Sequence, residues 1–152
     1  ARYPFSKTPG DVHSLRDRLM DIMWEDVGIM RTAETINNGL NRVQALKSEL
    51  LETGLADHST VFNLTWHDWL NLQSLIEVSE AIAKAALSRE NSRGAHFRED
   101  FPEEGDLDTS YFTVARQGAG ELEVHQEAVQ FSIVRPGESL VEDMSPVVST
   151  AN

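Results

Sequence analysis

Three arginines and a histidine are concentrated in one short stretch of the sequence. Arg89, Arg93, His96 and Arg98 surround the turn residue Gly94, and they follow a long segment of helical character. Cationic side chains just beyond the C-terminus of a helix complement the negative end of its dipole and can pair with nearby carboxylates. The spacing therefore favours a loop that is held in place by its own charges. The candidate acidic partners are Glu90, Glu99 and Asp100.

The same loop could instead bind a ligand. Arg93, His96 and Arg98 suit an anion, which they would hold through charge-assisted hydrogen bonds. A small metal-dependent enzyme is another option, although none of the five histidines has the paired short spacing of strong zinc motifs. The ligands of such a site would be His67, Asp68, His96 and Asp100.

Familiar catalytic motifs are missing from the sequence. It contains no glycine-rich dinucleotide turn, no phosphate-binding loop and no nucleophile elbow. The acidic pairs at 99–100 and 103–104 are typical of a solvated turn, because carboxylates do acid–base work only where burial or a neighbour separates their pKa values. We therefore predict that this segment alone is catalytically inactive.

Apolar periodicity predicts three helices. They run from Asp11 to Trp24, from Thr32 to about Thr53 and from about Thr65 to Arg89. Asp11 and Thr32 are good N-caps for the first two. The third is apolar on more than one side, so we expect it to be the central and most buried element.

Three positions within these helices leave alternatives open. Trp66 and Trp69 lie on adjacent turns and could anchor either the core or a partner surface, and the core is favoured. Gly39 costs about 1 kcal/mol relative to alanine inside a helix. It indicates either close helix packing or simple tolerance.

The character of the sequence changes after Pro102, where β-branched and aromatic residues replace helix formers. We predict short antiparallel strands at 110–116, 120–126 and 128–134, and an irregular tail from 139 to 152. The predicted fold class is α+β and mostly helical, with a spectrin-repeat-like three-helix bundle and a small antiparallel β extension. In this division, residues 11–100 form the bundle, 101–135 the loop and strands, and 136–152 the tail of a single domain.

Composition restricts the partners. The 25 acidic and 13 basic side chains give a formal charge of −12, which argues against nucleic acid and anionic membranes. The chain has no cysteine, so it forms no disulfide and ligates no iron–sulfur cluster. No apolar run approaches the ~20 residues of a membrane span, and direct membrane insertion is not expected. The N-terminus lacks both an initiator methionine and a signal-like stretch, which predicts a fragment of a longer protein.

The stretch 90–102 resembles the Glu-Ser-Arg-Gly-Ala-His-x-Arg-x-Asp-x-Pro loop of succinate dehydrogenase and fumarate reductase flavoproteins and of L-aspartate oxidase. The likeness extends over residues 11–135. It includes the Val-Gly-hydrophobic-x-Arg turn at 27–31 and the acidic-apolar-alanine pattern of Glu77 to Ala86. Asn91 departs from the glutamate usual in the family, which would remove one ion pair of the loop.

The resemblance implies that this chain is the C-terminal structural domain of an FAD-dependent oxidoreductase acting on a dicarboxylate. The flavin and the catalytic residues would lie in earlier domains, so FAD is expected in the full-length parent and none in this fragment. Arg93, His96 and Arg98 would make an interdomain or near-flavin contact. The implied partners are the parent's own FAD-binding domain and an iron–sulfur electron-transfer subunit.

Localisation is expected to be cytoplasmic, at the inner face of the membrane through partner subunits. The alternative function is a stand-alone acidic helical interaction module that uses an exposed Trp66 or Trp69 as its anchor. That alternative predicts a natural reading frame that begins near Ala1.

Overall fold

The protein is a bundle of three helices with a β-hairpin, seen in a computed structural model that describes residues 3–140. A short 3-10 helix opens the chain at Tyr3–Ser6. Two two-residue strands pair in parallel near one end of the bundle, and the hairpin is antiparallel. The elements are α1 (Val12–Glu25), β1 (Met30–Arg31), α2 (Ala33–Glu52), α3 (Leu64–Ser88), β2 (Phe97–Arg98), β3 (Tyr111–Gln117) and β4 (Leu122–Ala128). The predicted mostly helical α+β architecture is confirmed.

Side-chain caps fix where the helices begin. Asp11 Oδ1 accepts hydrogen bonds from the amides of His13 and Ser14, at 3.0 Å each. Thr32 forms a reciprocal capping box with Thr35, and the Asn63 side chain caps α3. Because these caps satisfy amides that lack partners in the first turn, the predicted boundaries of all three helices agree with the structure to within one residue.

The hydrophobic core between the three helices consists of a larger cluster and a smaller one around Ile36 and Ala83, and most of its members belong to the apolar stripes that the periodicity indicated. Trp69 belongs to it, with 3% of its surface exposed and its Nε1 donating to the carbonyls of Leu50 and Thr53. Trp66 is half-buried and lies 5.1 Å from the Phe5 ring, centroid to centroid. The core position favoured for the tryptophans is therefore correct. The fully enclosed core residues include Leu19, Ile36, Leu46 and Ile76.

Gly39 marks a close approach between α2 and the end of α1. A Cβ at this position would lie 2.8 Å from Asp26 Cβ and 3.0 Å from Val27 Cγ2. Asp26 is itself buried and accepts hydrogen bonds from Asn38 and Arg42 on the same helix as Gly39. Of the two explanations offered by the sequence, close packing is the one the structure supports.

The expectation that α3 is the most buried helix is only partly correct. Its inner side packs in the core, but a second apolar stripe of Leu75, Val78 and Ile82 lies at the surface, 39 to 56% exposed. The sequence misleads here because apolar residues on two sides of a helix do not show which side has a neighbour in the fold. Within residues 3–140, no helix is long and apolar enough to cross a membrane.

The predicted third strand at 128–134 is wrong. The hairpin ends at Ala128, apart from one further hydrogen bond from the Val129 amide to the Ser110 carbonyl, and Ile133 is 79% exposed. The physical reason is the missing turn, because antiparallel neighbours need a connection of at least about two residues. The prediction left residue 127 alone for it. Most of the predicted irregular tail, from 141 to 152, lies outside the described residues.

A substitution in the bundle core tests this packing. Replacing Leu46→Ala, at a site with 0% exposure, should lower the free energy of unfolding by about 2–5 kcal/mol because it leaves a cavity. Denaturant titration followed by circular dichroism measures the change. Leu64→Ala, at a site that is 66% exposed, is the matched control and should change stability far less. Equal losses at both sites would contradict the assigned core.

Candidate functional site

Arg98 is buried at the C-terminal end of α3, with only 1% of its surface exposed. Its Nη1 donates to the carbonyl oxygens of Ala86, Leu87 and Arg89, at 3.0, 3.0 and 3.2 Å. The last carbonyls of a helix lack partners within the helix and form the negative end of its dipole. The guanidinium therefore satisfies the end of α3 both by hydrogen bonding and by charge.

Asp100 joins this helix end to the start of α2. Its carboxylate accepts two parallel bonds from Arg98, at 2.7 and 2.8 Å, and Oδ2 also accepts from the Ala33 amide at 2.8 Å. The Arg98 guanidinium and the Ala33 amide hold the pKa of Asp100 well below its usual range. One ion pair thus places a positive charge at the C-terminus of α3 and a negative charge at the N-terminus of α2.

The backbone around this pair is fixed by local contacts. The Ser92 hydroxyl accepts from the Arg98 amide at 2.8 Å and donates to the Phe101 carbonyl at 2.8 Å. The Arg98 guanidinium also lies 4.9 Å from the centre of the Phe101 ring. Gly94, with a φ of 57°, makes the turn between Arg93 and His96. This geometry favours glycine, because other residues adopt a positive φ much less often.

Arg93 connects the loop to the segment before the hairpin. It donates to the carbonyls of Glu104 and Asp106, at 2.7 Å each, and to the Ser110 hydroxyl at 2.9 Å. These acceptors are neutral groups of the chain itself. Arg93 therefore holds the 103–110 segment against the loop, which is the bracing role that the spacing favoured.

His96 is part-buried, and its Nε2 lies 3.2 Å from the Arg89 carbonyl. Burial lowers the pKa of His96, and the positive charges of Arg31, Arg89 and Arg98 lower it further. The neutral imidazole is therefore favoured near neutral pH. Asn91, which stands where the family usually has glutamate, accepts a hydrogen bond from Arg89 Nε at 3.1 Å, so Arg89 bonds to a neutral amide at this position.

The proposed metal ligands are not brought together. His67 and Asp68 are on the first turns of α3, whereas His96 and Asp100 lie beyond its other end. With a rise of ~1.5 Å per residue, this separation is on the order of 30 Å. No group of three or more potential metal ligands is found anywhere in the described part of the chain.

Two features of this region escaped the sequence analysis. One is the bond from the Ala33 amide to Asp100, which joins residues 67 positions apart. The other is Arg31, which is partly buried beside Arg98 through the pairing of β1 with β2. The Val-Gly-hydrophobic-x-Arg turn at 27–31 was the available signal, but it carried no indication of what Arg31 would contact.

Comparison with known proteins identifies the class. The chain matches the family described as "Fumarate reductase flavoprotein C-term" over residues 16–141. In a solved quinol–fumarate reductase with menaquinol molecules, one chain superposes with a TM-score of 0.78 and 27% identity, covering 87% of this chain and 24% of that one. The fold and the loop together therefore define a C-terminal helical domain of flavoprotein subunits.

Curated relatives agree with this class. The succinate dehydrogenase flavoprotein subunit of Coxiella burnetii is 39% identical over 100 residues, which cover 66% of this chain and 17% of that protein. L-aspartate oxidase 1 of Ralstonia nicotianae is 37% identical over 87 residues, covering 57% and 15%. The chain belongs to the succinate dehydrogenase and fumarate reductase flavoprotein family, and it spans about a sixth of the length of these relatives.

A conservative substitution tests the bridge between the helices. Arg98→Lys retains the charge but loses the planar fork that reaches both the carboxylate and three carbonyls. The free energy of unfolding should fall by about 1–3 kcal/mol, measured by denaturant titration. Arg116→Lys, at a side chain that is 66% exposed, is the control, and its free energy of unfolding should stay within about 0.5 kcal/mol of that of the unsubstituted protein. A loss no greater at Arg98 than at Arg116 would rule out the bridging role.

The pH dependence of stability tests whether the ionised Asp100 carboxylate stabilises the fold. The folded-state pKa of Asp100 lies below its ordinary value of 3.8. The contribution of its carboxylate to the free energy of unfolding is therefore fully present above about pH 5, and it is lost as the pH falls through 4 and below. Asp100→Asn should therefore be less stable than the original at pH 7, with the gap narrowing under acid conditions. Thermal unfolding midpoints between pH 7 and pH 3 measure this. A gap independent of pH, or one equal to that of the neighbouring variant Glu99→Gln, contradicts the prediction.

Proposed function

We propose that this chain is the C-terminal structural domain of an FAD-dependent oxidoreductase of the succinate dehydrogenase and fumarate reductase type. The parent enzyme would transfer a hydride between FAD and a dicarboxylate and pass the electrons to a partner. The family membership supports this proposal. The rest of the parent would correspond to the parts of the relatives that this chain does not cover.

The observation that carries the proposal is that the arginines of the loop are bonded to other groups of this domain. Arg98 is saturated by Asp100 and by the end of α3, and Arg93 by acceptors in the 103–110 segment. Groups already bonded within the domain are not free to bind a substrate or to move a proton. The role that fits them is to shape a rigid loop, while the chemistry belongs to other parts of the polypeptide.

The loop itself is our candidate for the contact with the flavin-binding domain. Arg93 and Arg98 would act from within, by fixing its shape, and His96 would reach the contact directly. Phe97, next to His96, is 37% exposed and lies on the outside of the loop. A neutral imidazole beside an aromatic ring suits an interface better than a charged imidazole, because less solvation is lost on burial.

The described residues do not suit the cofactor on their own. A flavin dinucleotide requires free donors for its pyrophosphate, usually at a glycine-rich turn, and the arginines of this loop already donate to the chain. We therefore place FAD in the flavin-binding part of the parent. We also propose an iron–sulfur subunit as the electron partner and a position on the cytoplasmic side of a membrane, held there through partner subunits.

The full-length protein provides the test. The reading frame upstream of Ala1 should encode a flavin-binding domain, and the purified product should carry FAD, seen by its absorbance, and interconvert succinate and fumarate. Replacing Arg93, His96 and Arg98 together with alanine should lower FAD retention and turnover. His96→Ala alone should reduce turnover, whereas the exposed control His125→Ala should not.

Two outcomes would contradict the proposal. A full-length protein that binds no flavin would remove the proposed function. Unchanged flavin retention, stability and turnover in the triple variant would remove the role of the loop while leaving the family intact.

A further inference from the structure

The β3–β4 hairpin contacts the C-terminal half of α3 through two cationic side chains. Near the start of β3, the Arg89 guanidinium lies 5.7 Å from the centre of the Tyr111 ring. Near the hairpin turn, Lys84 Nζ donates a hydrogen bond of 3.4 Å to the Leu122 carbonyl. Among the described residues, no other hydrogen bond joins β3 or β4 to a helix. Lys84 is therefore the polar contact that holds the turn end of the hairpin.

Glu80, one turn earlier on α3, fixes the position of Lys84. Its Oε1 lies 2.9 Å from Lys84 Nζ, and its Oε2 accepts a hydrogen bond of 3.1 Å from Lys47 Nζ of α2. Burial raises the pKa of Glu80, but the bonds from Lys84 and Lys47 outweigh that effect, so the net pKa is lowered. One ionised carboxylate thus joins α2 to α3 and orients the lysine that reaches the hairpin.

The interface between the hairpin and the helices is polar and loosely packed. A cleft of about 710 Å³ lies between the hairpin turn, α2 and α3, and Gln44, Glu77 and Gly120 are among the residues that line it. Thr113 lies on the same face of β3 as Tyr111, because alternate residues of a strand share a face. Its hydroxyl oxygen is shielded from solvent without a hydrogen-bond partner. No residue of β3 or β4 belongs to a buried hydrophobic cluster.

The base of the hairpin, by contrast, is firmly bonded. Arg93 donates to the Asp106 carbonyl and to the Ser110 hydroxyl, and the Val129 amide donates to the Ser110 carbonyl. The hairpin therefore has a fixed end at Ser110 and a weakly held end at its turn. A hairpin of two strands is at best marginally stable alone in water, so its order depends on docking against the helices.

We infer that the hairpin is an arm that pivots at Ser110 and docks reversibly on α3, with Lys84 as its latch and Glu80 as the residue that positions the latch. Undocking exposes the face of β3 that carries Thr113. Any change that removes the charge of Lys84 or of Glu80 favours the undocked arm. This inference is independent of the proposed function, because every contact that it uses lies within the described domain.

A thiol at position 113 tests the docked state in the full-length protein. The sequence of this domain contains no cysteine, and Thr113→Cys places a sulfur where the shielded hydroxyl lies. Ala119→Cys, in the exposed turn of the same hairpin, is the control. Maleimide labelling, read by peptide mass spectrometry, should be at least about tenfold slower at position 113 than at position 119, because docking excludes the reagent. Equal rates would overturn the inference.

A matched pair of lysine variants tests the latch. In the Thr113→Cys background, Lys84→Met should raise the labelling rate at position 113 about fivefold or more, because the bond to the Leu122 carbonyl is lost. Lys47→Met removes a lysine of similar exposure, 35% against 33%, that bonds to the same carboxylate but not to the hairpin, and it should leave the rate unchanged. Glu80→Gln should raise the rate, because the latch loses its positioning partner. Equal rates in the two lysine variants would overturn the role of Lys84.

Hydrogen exchange separates movement of the arm from general destabilisation. In the full-length protein with Thr113 intact, Lys84→Met should speed amide exchange in peptides from 111–128 about fivefold or more, and peptides from α1 and α2 should keep their rates. Mass spectrometry of the exchanged peptides measures both. Unchanged exchange in the hairpin would overturn the inference. Faster exchange throughout the three helices would overturn it as well, because Lys84 would then stabilise the whole domain rather than the docked arm.

Discussion

The ion pair between Arg98 and Asp100 is the constraint on which the arrangement of the helices depends. In an antiparallel pair of helices, the C-terminus of one lies beside the N-terminus of the other, so carbonyls without partners face amides without partners. The guanidinium bonds to the carbonyls that end α3, the carboxylate bonds to the first amide of α2, and the two bond to each other. The loop, the β1–β2 pairing and the turn at Gly94 all keep that pair in position.

The sequence predicted those parts of the fold that depend on neighbours in the chain. The start of a helix follows from its N-cap, such as Asp11 or Thr32, which acts within three residues. The hairpin follows from Gly118 and Gly120 between its two strands. The third strand was wrong because strand propensity at 128–134 gave no information about the turn and the partner edge that such a strand needs. The bond between Ala33 and Asp100 was missed for the same reason, since pairing across 67 residues is set by the assembled bundle.

The candidate site was found by composition but explained only by geometry. Arginines and a histidine near one glycine suit a ligand site as well as they suit a helix terminus. Distances to the carbonyls at the end of α3 favour the second role for Arg98, whereas the Val-Gly-hydrophobic-x-Arg turn at 27–31 gave no indication of what Arg31 contacts. Among the described residues, Arg93 and Arg98 are bonded within the domain, and their contacts explain the shape of the loop.

The long separation between Ala33 and Asp100 also bears on the order of events during synthesis. The start of α2 carries its own cap in the Thr32–Thr35 box, whose contacts lie within four residues of the chain. The carboxylate that locks it to α3 is made 67 residues later. The bond that closes this end of the helix pair can therefore form only after the third helix and the loop beyond it have been synthesised.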